Sequence, residues 1–272
     1  MTTTTDTSQR TGAAQGDLWS EHATDWSELQ ELHMRPLYEA GLDAMSVATE
    51  TRHLDAGCGA GMALAMAAER GAYVSGFDAA PAFIAIARGR VPRAQIAQGD
   101  LQELPFPDQA FDTVAGFNSF QYAADPGAAL GEARRVLRPG GLLVAATWAP
   151  AEMCDLADHL AAVGRLLPPP RPGAPGPFAL SGDGALASLL SSAGLEPQHT
   201  EDVICRFDYP DDDIALRALM ASGPCVRAAR HAGEAPTRDA VLESIAKFRQ
   251  SDGSYRIANP FRFTLAARAS GC

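Results

Sequence analysis

Residues 53–61 read His53-Leu54-Asp55-Ala56-Gly57-Cys58-Gly59-Ala60-Gly61. A short run closes on an acid, and three glycines then alternate with other residues. This order marks a strand that turns sharply into a helix. Residues without a Cβ let backbone N–H groups come close to a ligand. The helix that follows aims the positive end of its dipole at the same point. The spacing is G-x-G-x-G, and Met62 stands where the dinucleotide fingerprint G-x-G-x-x-G carries its third glycine.

Outward from this loop, residues 51–149 alternate short apolar runs with helical stretches, the pattern of βαβ units on a parallel sheet. Strands are expected at 52–56, 73–77, 94–98, 111–117 and 142–148. Helices are expected at 62–70, 81–90, 126–136 and 152–167. The stretch 167–178, LPPPRPGAPGPF, excludes a helix or a central strand, because each proline removes a donor and fixes φ. It is expected to form a stiff surface loop. A helix at 184–194 and strands at 203–209 and 261–267 follow, and 211–250 between those strands reads as a helical cap. Ahead of the core, 17–43 has helical spacing, interrupted at Pro36. The chain thus divides into a disordered tail (1–16), amino-terminal helices (17–50), a ligand-binding core (51–150) and a carboxyl-terminal part with the cap (151–272).

The formal net charge is −11, with a sequence pI near 4.9. Binding nucleic acid relies on Lys and Arg displacing counterions, so this balance argues against such a partner. Cysteines at 58, 154, 205, 225 and 272 are odd in number and form no CxxC pair. Neither a disulfide framework nor a cysteine metal site is expected, and a reduced, cytoplasmic compartment fits. The Thr-, Ala- and Gly-rich start lacks the apolar core of a signal peptide. No apolar run approaches the roughly 18 residues of a membrane span.

The loop Asp55–Gly61 matches the D-x-G-x-G-x-G pattern throughout, and here the chain resembles the class I S-adenosylmethionine-dependent methyltransferases. In that family the loop holds the methionine end of the cofactor, which implicates Asp55, Gly57, Gly59 and Gly61. Asp78, at the end of the second expected strand with Ala79 beside it, matches the acid that accepts from both ribose hydroxyls. Gly99-Asp100-Leu101 matches the pair whose carboxylate and following N–H meet the adenine. Leu104-Pro105-Phe106-Pro107-Asp108, followed by Phe111-Asp112, resembles the small-molecule branch that includes quinone-biosynthesis methyltransferases. Val136-Leu137-Arg138-Pro139-Gly140-Gly141 resembles the turn before the family's fifth strand, though a tight turn explains those residues on its own.

The resemblance implies an α/β, doubly wound, mostly parallel seven-stranded sheet, Rossmann-like, whose last strand is antiparallel. Amino-terminal helices would form a lid and a helical cap would lie between strands six and seven. The cofactor implied is S-adenosylmethionine, and the partner a small-molecule acceptor. Open α/β sheets bind ligands beyond the carboxyl ends of their strands. Residues 117–122 are therefore expected at the site, with Asn118 against the cofactor and Gln121 positioning the acceptor. Ser119-Phe120 replaces the two prolines found in enzymes that methylate planar amines of DNA, RNA or glutamine. Trp19, Tyr38, Phe120, Tyr122 and Trp148 are candidates to line the acceptor pocket, although for Trp19 burial of an amphipathic helix serves equally well. His22 is the candidate general base, between Trp19 and Trp26 on the lid, and a surface histidine is its plainer explanation. No metal-ligand spacing is present. An NAD(P)-dependent oxidoreductase and a non-catalytic S-adenosylmethionine-binding protein are the competing functions.

Overall fold

A computed structural model of the chain describes residues 10–168 and 176–270. In chain order it opens with helices α1 (Gly12–Ser20) and α2 (Ala23–Asp25). A π-helical turn (Trp26–Gln30), a 3₁₀ turn (Glu31–Met34) and α3 (Arg35–Ala44) follow. Then come β1 (Arg52–Ala56), α4 (Met62–Glu69), β2 (Tyr73–Asp78), α5 (Pro81–Arg90), β3 (Gln95–Gln98), β4 (Phe111–Phe117), α6 (Pro126–Val136) and β5 (Leu137–Trp148). The carboxyl-terminal part holds α7 (Ala157–Arg165), α8 (Ala185–Ser192), β6 (Leu195–Tyr209), α9 (Asp212–Met220), α10 (Gly223–Ala232), α11 (Glu234–Ile245) and β7 (Tyr255–Arg268). Most of the loop expected at 167–178 lies outside the described residues.

The seven strands form one sheet in the order β3-β2-β1-β4-β5-β7-β6. β7 runs antiparallel to both β5 and β6, and the other neighbours run parallel. Parallel strands covered on both faces read as continuous apolar runs, and β1 accordingly buries every residue after Arg52. The strand order reverses between β1 and β4, which opens a crevice above their carboxyl ends. Pro81 and Pro126 start α5 and α6 where a missing N–H costs nothing. Asp125 caps α6 by accepting from the Ala128 N–H.

Several bounds differ from the sequence expectation, with β5 starting at Leu137, β7 at Tyr255 and α7 at Ala157, and two further differences have a plain physical reason. β6 extends over 15 residues, because its polar first half pairs with β7 as an edge strand while facing solvent. The stretch 12–16 is helix rather than tail. It is held there by what it touches: the Gly12 N–H donates to Asp100 Oδ2 at 2.7 Å, and Thr11 Oγ1 donates to the Tyr122 carbonyl at 2.8 Å. These contacts seat α1 over the carboxyl ends of β2, β3 and β4. Gly16 allows the approach, since a Cβ there would lie 2.3 Å from the Ala79 carbonyl oxygen.

Lid and cap close on each other. A Cβ on Gly223, at the start of α10, would meet the Trp19 ring at 2.8 Å. Arg230 of α10 pairs with Asp17 and Glu21, and Arg217 of α9 with Asp25. Exposed pairs of this kind contribute little singly. The buried Tyr209 hydroxyl adds a protected link by donating to Gln30 Oε1 at 2.7 Å.

Replacing Gly16 with Ala should unseat the lid, at a cost of about 1–3 kcal/mol for forcing a methyl against fixed backbone. Limited proteolysis should then cut the amino-terminal segment faster. Gly89→Ala, in open space on α5, should leave cleavage unchanged and stabilise slightly; equal cleavage of both variants would show that Gly16 does not set the seat.

Candidate active site

A cavity of about 440 Å³ lies above the carboxyl ends of β1 and β4, lined in part by lid and cap. One end is formed by the glycine loop. Gly57, Gly59 and Gly61 all have positive φ, at 88°, 52° and 85°. At Gly57 the absence of a side chain is obligatory, because a Cβ would fall 2.3 Å from Ser119 Cβ. Ser119 Oγ instead donates to the Ala56 carbonyl at 2.6 Å and ties the ends of β1 and β4 together.

Acids converge around this loop. Asp78 Oδ2 accepts from the Gly59 N–H and Oδ1 from the Ala80 N–H, both at 2.8 Å, which holds the loop against β2. Each carboxylate oxygen retains a lone pair for a ligand hydroxyl. Asp55 is buried and its Oδ1 has no partner among the described residues. Burial, helped by the charges of Asp78 and Glu31, pushes its carboxyl up to about 8. Burial also raises Asp78 and Glu31, and in both cases outweighs the hydrogen bonds that favour ionisation.

Glu31 is the residue that sequence reasoning missed here. It comes from the lid, its Oε1 accepts from the Met62 N–H at 3.2 Å, and Arg90 Nη1 donates to its Oε2 at 2.5 Å. Its one sequence signal is an acid in an otherwise amphipathic helical stretch, which does not separate it from Glu28 or Glu39.

The expected cofactor residues Asp55, Gly57, Gly59, Asp78, Ala79, Asp100, Leu101 and Asn118 all line this cavity, and Gly61 lies just behind, packed on Ala87. Asp100 Oδ1 accepts from the Gln102 N–H at 2.9 Å, while its Oδ2 is the oxygen that caps α1. Asn118 has φ 57°, a left-handed conformation that asparagine tolerates better than most residues. Gln121 donates to Asn118 Oδ1 through its Nε2. Burial pushes the Tyr122 hydroxyl up to about 12.

At the other end the walls are apolar. Trp148 packs on Phe261 with centroids 4.5 Å apart, and Leu156, Val163 and Leu219 complete the surface. Tyr38 lies over Phe117 at 5.0 Å, and Trp19 packs edge-on to Tyr122 at 5.7 Å.

Two expected site residues lie elsewhere. Phe120 is core: its ring folds back over Gly116, where a Cβ would sit 2.1 Å from it, and it is 3% exposed. His22 is outside the cavity, on the solvent side of the lid, 3.8 Å from Glu21. The chain leaves helical geometry at His22 (φ −124°, ψ 37°), and Trp19 and Trp26 take the inward face by packing on each other and on Phe83.

A ligand that fits this end is cationic, carries a ribose and presents a flat polar base. The unpartnered oxygen of Asp55 and the raised carboxyls around it favour a positive group, Asp78 offers lone pairs to a diol, and the glycine loop leaves room for backbone approach. S-adenosylmethionine has all of these features. Fold and site together resemble those of the class I S-adenosylmethionine-dependent methyltransferases. Residues 54–145 match the family described as "Methyltransferase domain". The chain is 39% identical over 105 residues to the malonyl-[acyl-carrier protein] O-methyltransferase of Serratia marcescens, covering 39% of this chain and 41% of that protein. It is 36% identical over 123 residues to the demethylmenaquinone methyltransferase of Tropheryma whipplei, covering 43% and 49%. The chain thus aligns with less than half the length of either relative. Among solved structures, a [4+2]-cyclase superposes with TM-score 0.55 at 21% identity over 86% of this chain and 80% of that one, a likeness of fold. These matches set aside the oxidoreductase alternative.

Asp78→Ala should weaken binding of S-adenosylmethionine by roughly 1.5–3 kcal/mol, as expected for lost hydrogen bonds to a charged group, measured by calorimetry; unchanged affinity would place the ribose elsewhere. Asp55 gives a pH test. Its folded-state pKa near 8 lies above the ordinary 3.8, so the folded protein holds the extra proton and loses stability as pH rises between those values. Asp55→Asn should therefore raise the melting temperature of the ligand-free protein at pH 8 and above, with the gain fading toward pH 4. A gain independent of pH would contradict this.

Proposed function

We propose that this protein transfers the methyl group of S-adenosylmethionine to an oxygen or carbon atom of a small, largely apolar molecule of the natural-product or quinone-like kind. One observation carries the proposal: a continuous cavity joins the acid-lined cofactor end to an aromatic and aliphatic chamber. The bound cofactor supplies an electrophilic methyl group. The protein's own task is to hold the acceptor in line with it, which accounts for much of the rate in such reactions. Trp148, Phe261 and Leu219 enclose the acceptor in an apolar wall that keeps water from competing. Asn118 fixes Gln121 by accepting from its amide, so that its polar atoms orient the acceptor rather than search for it. The names of the relatives, one a malonyl-[acyl-carrier protein] O-methyltransferase and one a demethylmenaquinone methyltransferase, support a non-nucleic-acid acceptor. The net charge of −11 and the Ser119-Phe120 departure from the planar-amine motif support it further.

Incubation with methyl-labelled cofactor and a metabolite extract should yield a labelled apolar product by mass spectrometry, and label found only in nucleic acid or protein would overturn the proposal. Turnover should survive chelation, since alignment and not a metal is proposed to carry the reaction. Loss on EDTA treatment, restored by Mg²⁺, would refute that part.

A further inference from the structure

His159 lines the apolar end of the cavity and is 3% exposed. It lies on α7, with α10 and α11 packed around it. Ser244 of α11 donates its hydroxyl to the Val241 carbonyl at 2.7 Å, which uses its one proton. The contact between Ser244 Oγ and His159 Nδ1, at 3.2 Å, must then have the imidazole as donor. This fixes the tautomer: Nδ1 carries hydrogen, and Nε2 presents a lone pair. Among the described residues the neighbour of Nε2 is the Cys225 thiol at 3.9 Å, at the limit of a weak hydrogen bond.

Among the described residues no charged side chain bears on the ring. The nearby Asp158 and Lys247 pair with each other on the outer surface, and burial keeps the Cys225 thiol protonated by pushing it up to about 11. Burial alone holds His159 down at about 4, so the ring is neutral at physiological pH. The Cys225 thiol at 3.9 Å is at most a weak donor, so Nε2 of this neutral, oriented imidazole can still accept a stronger bond from a ligand hydroxyl.

We infer that His159 receives the hydroxyl of an aromatic, phenol-type acceptor and takes its proton during methyl transfer. The inference rests on the function proposed above and specifies its substrate class. The flat faces of Trp148 and Phe261 would hold the acceptor ring, and Nε2 its O–H. In the step itself, the acceptor oxygen forms a bond to the methyl carbon. The bond from that carbon to sulfur breaks with its electron pair going to sulfur, and the hydroxyl proton passes to Nε2. The imidazolium so formed is disfavoured by its surroundings and releases the proton to solvent as the product leaves. Ser244 is a positioning residue that holds the ring in the accepting tautomer.

The test separates binding from chemistry. With S-adenosylhomocysteine bound, the affinities of 2-naphthol and its methyl ether are measured by fluorescence. The wild-type protein should prefer the naphthol by about tenfold, the scale of one hydrogen bond. His159→Leu should abolish the preference. His159→Gln, which can accept a hydrogen bond but not a proton, should keep the preference yet lose about a hundredfold in turnover of phenolic acceptors. Ser244→Ala should lose part of both. Wild-type protein that binds the two probes equally overturns the inference, as does unchanged turnover in His159→Gln. If wild-type protein prefers the naphthol but methylates no acceptor, the hydroxyl site stands and the methyltransferase function fails.

Discussion

Everything at this site depends on the burial of carboxylates around one glycine loop. Asp55, Asp78 and Glu31 come from β1, β2 and the lid, and each is held at a pKa above its ordinary value chiefly by desolvation. Among the described residues, one of them has a counter-ion in direct contact, Arg90 on Glu31. Burying charge without full compensation is unfavourable, so Asp55 keeps its proton up to about pH 8 in the ligand-free protein, and ionising it carries an electrostatic deficit where a positively charged cofactor would sit. The fold tolerates it because the surrounding contacts are fixed: Ser119 ties β1 to β4, Asp78 ties the loop to β2, and Gly57 permits both. A cationic ligand would relieve this deficit, and a neutral analogue would not.

The core of the fold was legible because sequence and structure obey the same local rules. The bounds of β1, β4, α5 and α6 agree with those read from the sequence, since apolar runs, initiating prolines and a capping Asp125 speak about their own neighbourhood. Order and spacing also named Asp55, Asp78 and Asp100, which line one cavity. What escaped had no local signature. The first half of β6 is polar and solvent-facing, and only its pairing with β7 makes it a strand. Gly12–Gly16 resembles a tail in composition, and becomes helix through contacts with Asp100 and Ala79 that lie more than sixty residues away.

The acceptor end shows the same division more sharply. His22 was chosen by its place between two tryptophans, but helical periodicity failed at that residue and the indoles took the inner face. His159 sits in an ordinary helix with no motif around it. Its significance arises from Ser244 and Cys225, 85 and 66 residues further along the chain, which converge on it only in three dimensions. Phe120 fell into the core because Gly116, four residues earlier, leaves a hollow of the right shape. Side-chain direction after a strand end is set by such hollows, and spacing alone does not reveal them.

The long edge strand β6 has a consequence for the behaviour of the protein in a crowded solution. Fifteen residues of unsatisfied outer backbone would be a template for pairing with another chain. The sequence counters this along the strand: Pro197 lacks a donor, the register shifts between Pro197 and His199, and Glu196, Glu201, Asp202, Arg206 and Asp208 bring charge to the margin. The polarity that made this segment hard to recognise as a strand is therefore what guards it against aggregation. Apolar replacements on its outward positions would leave the catalytic chamber untouched and still endanger the protein by opening a route to intermolecular sheet growth.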